Sequence, residues 1–348
     1  MTIIYFLLIL GVIVVVHEFG HFFFARLFGV HAYEFSIGMG PKIWGTKEKK
    51  GKTPFNIRAI PIGGYVALAG EDATDDDKKL ADDKKLFSKP IWQRFLIMFF
   101  GAGNNFILAF IVLFLIGLFF GSQDLRPVIK GLEEKYPMYE AGLREGDTFT
   151  KINGHSISTV DDVQVYLIMA SKDKESTFEV LRDGEKKEFK VTPLKEKTED
   201  GKESYKFGIV FKQEYNHGFV NAIKYSFTKI FALCKQIIIV LANLITGNLS
   251  LSTLSGPVGI YSVIGEAKEA GIVNIFYLLA LLSVNIGFIN LIPLPAFDGG
   301  RIFFLVIEGI KGSPVPPKVE NMIHNAGFFI LMALMVLITF NDIFKLFH

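Results

Sequence analysis

His17-Glu18-Phe19-Gly20-His21 reads H-E-x-x-H and sits inside a long apolar run from Ile3 to Ala25. On a helix, positions i and i+4 share a face, so both imidazoles can reach one divalent cation while Glu18 flanks it. Such a set offers a metal two nitrogen donors and places a carboxylate beside it to move a proton. The five-letter pattern arises by chance in roughly one chain of this length in a hundred, so its setting matters more than its letters. The run carries no other Asp, Glu, Lys, Arg or His. At membrane depth such groups are costly unless something pairs with them, and that makes the cluster a functional candidate.

A catalytic zinc normally takes three protein donors and leaves a fourth position open. The third donor is expected in Asn290-Leu-Ile-Pro293-Leu-Pro295-Ala-Phe-Asp298-Gly299-Gly300, where Asp298 is the carboxylate at matching depth beside another apolar run. Pro293 and Pro295 cannot continue a helix, so the backbone should unwind there and free carbonyls and amides near the metal. Gly299 and Gly300 permit the tight turn that aims the carboxylate inward. Two imidazoles and a carboxylate predict Zn2+, although iron or cobalt bind the same donors.

The elements that must position these residues belong to a membrane protein with a sizeable soluble part. The chain has 348 residues, is 50% hydrophobic and has a mean hydropathy of +0.37. A formal net charge of +2 suggests no nucleic-acid partner. Cys234 is the single cysteine, which excludes an intrachain disulfide and a cysteine-based zinc site. The amino terminus lacks the basic region of a signal peptide, and cleavage would discard the motif, so a retained helix is expected.

Four runs approach or exceed the roughly 20 residues of a spanning helix: Ile3–Ala25, Phe95–Phe120, Ile272–Ile292 and Asn321–Asn341. Lys224, Lys229 and Lys235 punctuate Phe219–Thr246, and its apolar part from Ile237 to Ile245 is short, so an amphipathic helix at the interface is expected there. Arg26 to Arg94 carries thirteen Lys and Arg, which places that link in the cytoplasm and both termini outside. Four spans then bring His17 and His21 to the same membrane face as Asp298. A fifth would separate them.

Tyr33–Gly70 reads as short strands broken by glycines, either a hairpin that, buried against helices, could add an extended substrate as an extra strand, or a cytoplasmic loop hairpin with no membrane contact. Glu71–Lys89 mixes seven acids with five lysines and predicts a solvated linker. Arg126–Leu194 alternates strand-like pieces with polar turns, and Asn153-Gly154 marks a hairpin.

H-E-x-x-H in the first span with Asn290-x-x-Pro-x-Pro-x-x-Asp298-Gly-Gly in a later one resembles the site-2 protease family of intramembrane zinc metalloproteases. More narrowly, the chain resembles the bacterial regulator-of-sigma-E protease type. Phe35-Ser-Ile-Gly-Met-Gly-Pro41, Pro61-Ile-Gly-Gly-Tyr-Val66 and Gly299-Gly-Arg301 carry that likeness, which runs nearly end to end. Gly101-Ala102 departs from the family's usual Gly-Pro. Glu140-Ala-Gly-Leu-Arg-Glu-Gly-Asp147 with Ile152-Asn153-Gly154 resembles a PDZ domain, with Pro127–Leu132 standing where the peptide-binding loop is expected.

The resemblance implies a multi-pass α-helical fold of four transmembrane helices with a membrane-associated β-hairpin and an inserted α+β PDZ domain. Residues 1–121 are expected to hold two spans and a re-entrant loop at about 33–70, and 122–200 the PDZ domain. Residues 201–270 are expected to form a linker with the interfacial helix, and 271–348 the last two spans. Glu18 is implied as general base, with His17, His21 and Asp298 as zinc ligands. Asn290, Gly63, Gly64 and Tyr65 are the expected substrate contacts. Asn104, Asn105 and Asn285 are expected to pack between helices. The expected substrates are single-span membrane proteins already cut by a site-1 type protease, within a bacterial cell membrane. The PDZ domain would lie outside and the active site toward the cytoplasm. A catalytically silent PDZ scaffold and a metal transporter are the competing classes.

Overall fold

A computed structural model of the chain describes residues 1–46, 52–71, 78, 80–170, 174–197, 203–210, 214–249, 254 and 256–347. It divides into two compact units, Met1–Val112 with Ser250–His348, and Leu113–Leu249.

The first unit opens with α1 (Thr2–Leu27), β1 (Ala32–Gly45), β2 (Phe55–Leu68) and most of α2 (Ile91–Phe119). Helix α1 ends where Gly29 takes a positive φ of 74° and the Val30 amide returns to the Ala25 carbonyl at 2.8 Å. Both halves of the β1–β2 pair are bent. Phe35 pairs with Val66 and Phe55, Ser36 with Tyr65 and Asn56, and Ile37 with Gly64 and Ile57. The first half of β1 therefore lies between the two halves of β2, and two strands do the work of four. The linker after β2 is partly anchored: Leu86 is buried with Val30, Phe35 and Ile97, and Glu71 pairs with Arg301 at 2.7 Å. Residues 72–77 and 79 lie outside the described residues.

The second unit holds, after the end of α2, β3 (Ser122–Gln123), α3 (Pro137–Glu140), β4 (Thr148–Ile152), β5 (His155–Ser156), α4 (Val160–Ala170), β6 (Ser176–Arg182) and β7 (Glu185–Val191). Then come β8 (Leu194–Lys197), β9 (Glu203–Lys206), β10 (Tyr215–Asn216) and α5 (Phe219–Ile245). Its main sheet has the order β5-β4-β6-β7. Asn153 and Gly154 turn with φ of 48° and 81°, the expected hairpin, and Asp183-Gly184 repeats the device between β6 and β7.

The core of this unit includes Ile129, Met138, Phe149, Phe178 and Phe207. Phe207 stands beyond the boundary expected at residue 200, so the domain runs further than its sequence pattern suggests. The stretch expected to be a 201–270 linker is largely regular, holding β9, β10 and two helices. Pro127–Leu132, expected as the peptide-binding loop, is hydrogen-bonded to two neighbouring segments. The Phe149 and Gly146 amides bond the Pro127 and Ile129 carbonyls, while the Val210 and Glu133 amides join it to Phe207–Val210.

The chain returns to the first unit with α6 (Pro257–Glu269), α7 (Ile272–Leu291), α8 (Asp298–Lys311) and α9 (Pro317–Phe347). Phe6, Ile9 and Ile13 in the first half of α1 share a core cluster with Ile275, Leu278 and Leu282 in the first half of α7, while His17 and His21 late in α1 line one cavity with Asn290 at the end of α7. Helices α1 and α7 therefore run parallel. Among the described residues, five helices are long and apolar enough to cross a membrane: α1, α2, α5, α7 and the Lys318–Phe344 part of α9. Helix α5 is a continuous 27-residue helix, so length alone does not keep it from crossing. Its lysines are the informative part. Lys229 is buried and bonds Asp161 of α4 at 2.7 Å, and Lys235 bonds the buried Asp162 at 2.8 Å.

One polar cluster holds the β1–β2 sheet. The Arg58 guanidinium donates to Glu34 at 2.6 Å, to Ser36 Oγ at 2.8 Å and to the Gly40 carbonyl at 2.7 Å. Burial alone pushes the Glu34 carboxyl up, but hydrogen bonds from Ser36, Asn56 and Arg58 outweigh it and hold the group down at about 2. With its folded value below the unfolded one, Glu34 stabilises the sheet above about pH 4.5, and that contribution is lost as pH falls toward about 2. In a Trp92→Phe background, emission from Trp44 on β1 should change across that window. Glu34→Gln should remove the transition, and an unchanged titration in that variant would show that another group drives it.

Candidate metal centre

Helix α1 places His17 and His21 one turn apart, and the local packing turns both inward. Gly20 makes this possible: a Cβ built there would stand 1.9 Å from the Phe100 carbonyl oxygen of α2. A Cβ on Gly101 would stand 2.1 Å from His21 Nε2. The two helices thus cross glycine against backbone, and Phe24 stacks on Phe100 beside the crossing, with ring centroids 4.0 Å apart. His21 Nδ1 donates to the Ile97 carbonyl at 2.9 Å, which leaves Nε2 as the free donor nitrogen. Asn104 of α2 reaches the Val16 carbonyl at 3.3 Å, an interhelical bond of the expected kind.

The third group arrives from the broken segment after α7. Helix α7 stops at Leu291, Ile292 turns extended, and Ala296 takes a φ of 75° before α8 begins at Asp298. A Cβ on Gly299 would lie 2.3 Å from the Ile292 carbonyl oxygen, so this turn closes only over glycine. Asp298 Oδ2 then stands 3.3 Å from His17 Nε2 and 3.4 Å from His21 Nε2, while the two Nε2 atoms are 3.2 Å apart.

That triangle fits a cation. Donors held tetrahedrally at about 2.0–2.1 Å from one ion stand about 3.3 Å from each other. Asp298 Oδ2 is buried without a hydrogen-bond donor of its own, and among the described residues these three form the one group of His, Cys, Asp or Glu able to hold an ion. They converge on a cavity of about 380 Å3 that Glu18, Tyr65, Asn290, Arg301 and His324 also line.

The other expected residues divide. Gly64 lies against Glu18, since its Cβ would come 3.5 Å from Glu18 Cγ and 2.8 Å from the Ser36 carbonyl oxygen. Tyr65 lines the cavity while its ring lies under the Arg58 guanidinium. Gly63 turns away toward Met39 with a φ of 81° and does not line the cavity. Asn105 is fully buried, its side-chain amide atoms without partners, and its carbonyl accepts from Ser283 of α7. His324 and the Arg301–Glu71 pair enter the site without a local signal in the sequence. Their partners are far away along the chain.

These elements define a multi-pass membrane protein with a buried two-histidine, one-aspartate centre. The model of Peptidase family M50 matches residues 5–334, and the chain belongs to that family. It is 32% identical over 422 residues to the regulator of sigma-W protease RasP of Bacillus subtilis (strain 168), covering 99% of both chains. It is 37% identical over 344 residues to a Clostridium perfringens (strain 13 / Type A) protein provisionally named a zinc metalloprotease, covering 99% of this chain and 98% of that one. The protein is accordingly a zinc metalloprotease of the intramembrane type.

The glycine crossing yields a graded test. Gly101→Ala should displace His21 and weaken zinc retention at least about tenfold against a chelator. Gly103→Ala meets the Phe99 ring at 3.3 Å, a side chain that can shift by a few tenths of an ångström, and Gly11→Ala meets nothing within 4 Å, so both should retain zinc like the parent. Equal retention in all three would mean that the α1–α2 approach does not position His21.

Proposed function

We propose that the protein cuts transmembrane segments of single-span membrane proteins with His17, His21 and Asp298 as zinc ligands and Glu18 as general base. The observation that carries this reading is the 3.2–3.4 Å triangle of donors that shares one cavity with Glu18. A zinc ion held there supplies Lewis acidity to water and to the scissile carbonyl. Glu18 takes the proton of the attacking water and passes it to the departing amine. Asn290, on the cavity wall, offers its amide to the substrate backbone or the developing oxyanion.

A transmembrane helix hides its carbonyls, so it must be unwound before hydrolysis. The second half of β2 borders Glu18 at Gly64 and the cavity at Tyr65 and Val66. An extended substrate segment pairing with that edge would bring its carbonyl toward the donors.

Four crossings fit this chemistry best. Parallel α1 and α7 require an odd number of crossings between them, α2 supplies that one return, and 13-residue α6 spans only about 20 Å. A lone crossing by α5 would reverse α7, whereas the Lys229–Asp161 and Lys235–Asp162 pairs suit an interfacial helix docked on its own domain. Both termini then lie outside a bacterial cell membrane, with the zinc centre toward the cytoplasm. In a Cys234→Ala background, Asn248→Cys and Lys187→Cys should both react with an impermeant thiol reagent applied from outside. Labelling of Asn248→Cys only from the cytoplasm would mean that α5 crosses.

The second unit is read as a PDZ domain that screens out proteins whose outer part is still large, which places a site-1 type protease upstream. An anti-sigma factor, a signal-peptide remnant and a peptide-pheromone precursor all suit such a site. Reconstituted with a model single-span substrate, the parent should cleave it, and Glu18→Gln should be slower by about 10²–10⁴-fold with zinc retained. Equal cleavage removes Glu18 from the mechanism. Zinc flux without cleavage would favour a transporter, and neither activity a scaffold.

A further inference from the structure

We infer that α9, through His324 and Gly327, is the template that holds the Pro295–Asp298 turn in its metal-binding shape, with His324 as a positioning residue. The inference rests on the reading of Asp298 as a zinc ligand. Ala296 takes a left-handed φ of 75°, a conformation that L-residues with a Cβ avoid. Something must hold it there. Its amide donates to His324 Nδ1 at 3.1 Å, so that nitrogen carries no proton and the ring is fixed as an acceptor toward the turn.

Two further contacts seat the same face of α9 on the same turn. A Cβ on Gly327, three residues after His324, would lie 2.3 Å from Pro295 Cβ and 2.9 Å from the Pro295 carbonyl carbon. Only glycine lets the proline in. On the far side of Asp298, a Cβ on Gly300 would lie 3.1 Å from His324 Cε1. Residues 295, 296 and 300 therefore rest on positions 324 and 327, and Asp298 is carried between them. Met322, Phe329 and Ile330 leave other positions of α9 exposed, while Asn325 and Phe328 line the metal cavity beside His324, so this face is where the helix engages the centre. Groups that orient a ligand from behind typically change metal affinity about 10–100-fold when removed.

The test measures zinc retention against a chelator by the purified full chain in detergent. Parent protein should hold about one zinc and Asp298→Asn should lose it; if Asp298→Asn retains zinc like the parent, the ligand assignment itself fails. With that control met, His324→Phe, which keeps a ring but no acceptor, should release zinc about tenfold more readily. His324→Asn, which can still accept from the Ala296 amide, should stay within about threefold of the parent. Ala296→Gly removes the left-handed penalty, so adding it to His324→Phe should restore most of the retention. A merely structural role for His324 would not respond to that second change. Parent-like retention in His324→Phe, or a loss that Ala296→Gly leaves untouched, overturns the inference.

Discussion

Taking two imidazoles and a carboxylate out of water is the constraint around which the first unit is arranged. Separately, His17, His21 and Asp298 would each be a costly group in hydrocarbon. Together they can surround one cation, whose charge offsets the carboxylate and gives each donor a partner. That requirement dictates helix direction. It forces α1 and α7 to run parallel, because the histidines lie late in α1 and the aspartate follows the end of α7. It also forces a close α1–α2 crossing, met by Gly20 and Gly101, and a helix break whose carbonyls close over Gly299.

The sheet beside the centre solves a second problem. Peptide hydrolysis needs an extended chain, and a lipid environment favours helices because they satisfy their own backbone groups. Folding two bent strands into four strand segments lets the second half of β2 border Glu18 while β1 protects its other side. The Glu34–Ser36–Arg58 cluster pins that arrangement with charge-assisted bonds, where weak apolar alternation alone would let the register slip. The second unit carries its own internal logic: Asp161 and Asp162 neutralise lysines that would otherwise burden α5.

Much of the centre was legible in the residues because its signals are local. One helical turn relates His17 to His21, and a short proline-glycine segment announces the break that presents Asp298. Helices α1, α2, α7 and α9, each long and apolar enough to cross a membrane, follow from long apolar runs. What escaped depends on pairing across long stretches of chain. The sheet's interleaved pairing, Phe207 as part of the domain core, and the Arg301–Glu71 pair have no local spacing to give them away. Nothing local in the sequence marks His324, since its partner is the backbone amide of Ala296, twenty-eight positions earlier. Lysines made α5 look interrupted, because their buried partners sit on α4.

Zinc K-edge X-ray absorption on the purified protein probes the convergence most directly. Two imidazole nitrogens and oxygen donors at about 2.0–2.2 Å are predicted for the parent, and His17→Ala and Asp298→Ala should each lose the ion or that coordination pattern. An unchanged spectrum in either variant would contradict the account, for the ion would then be bound elsewhere.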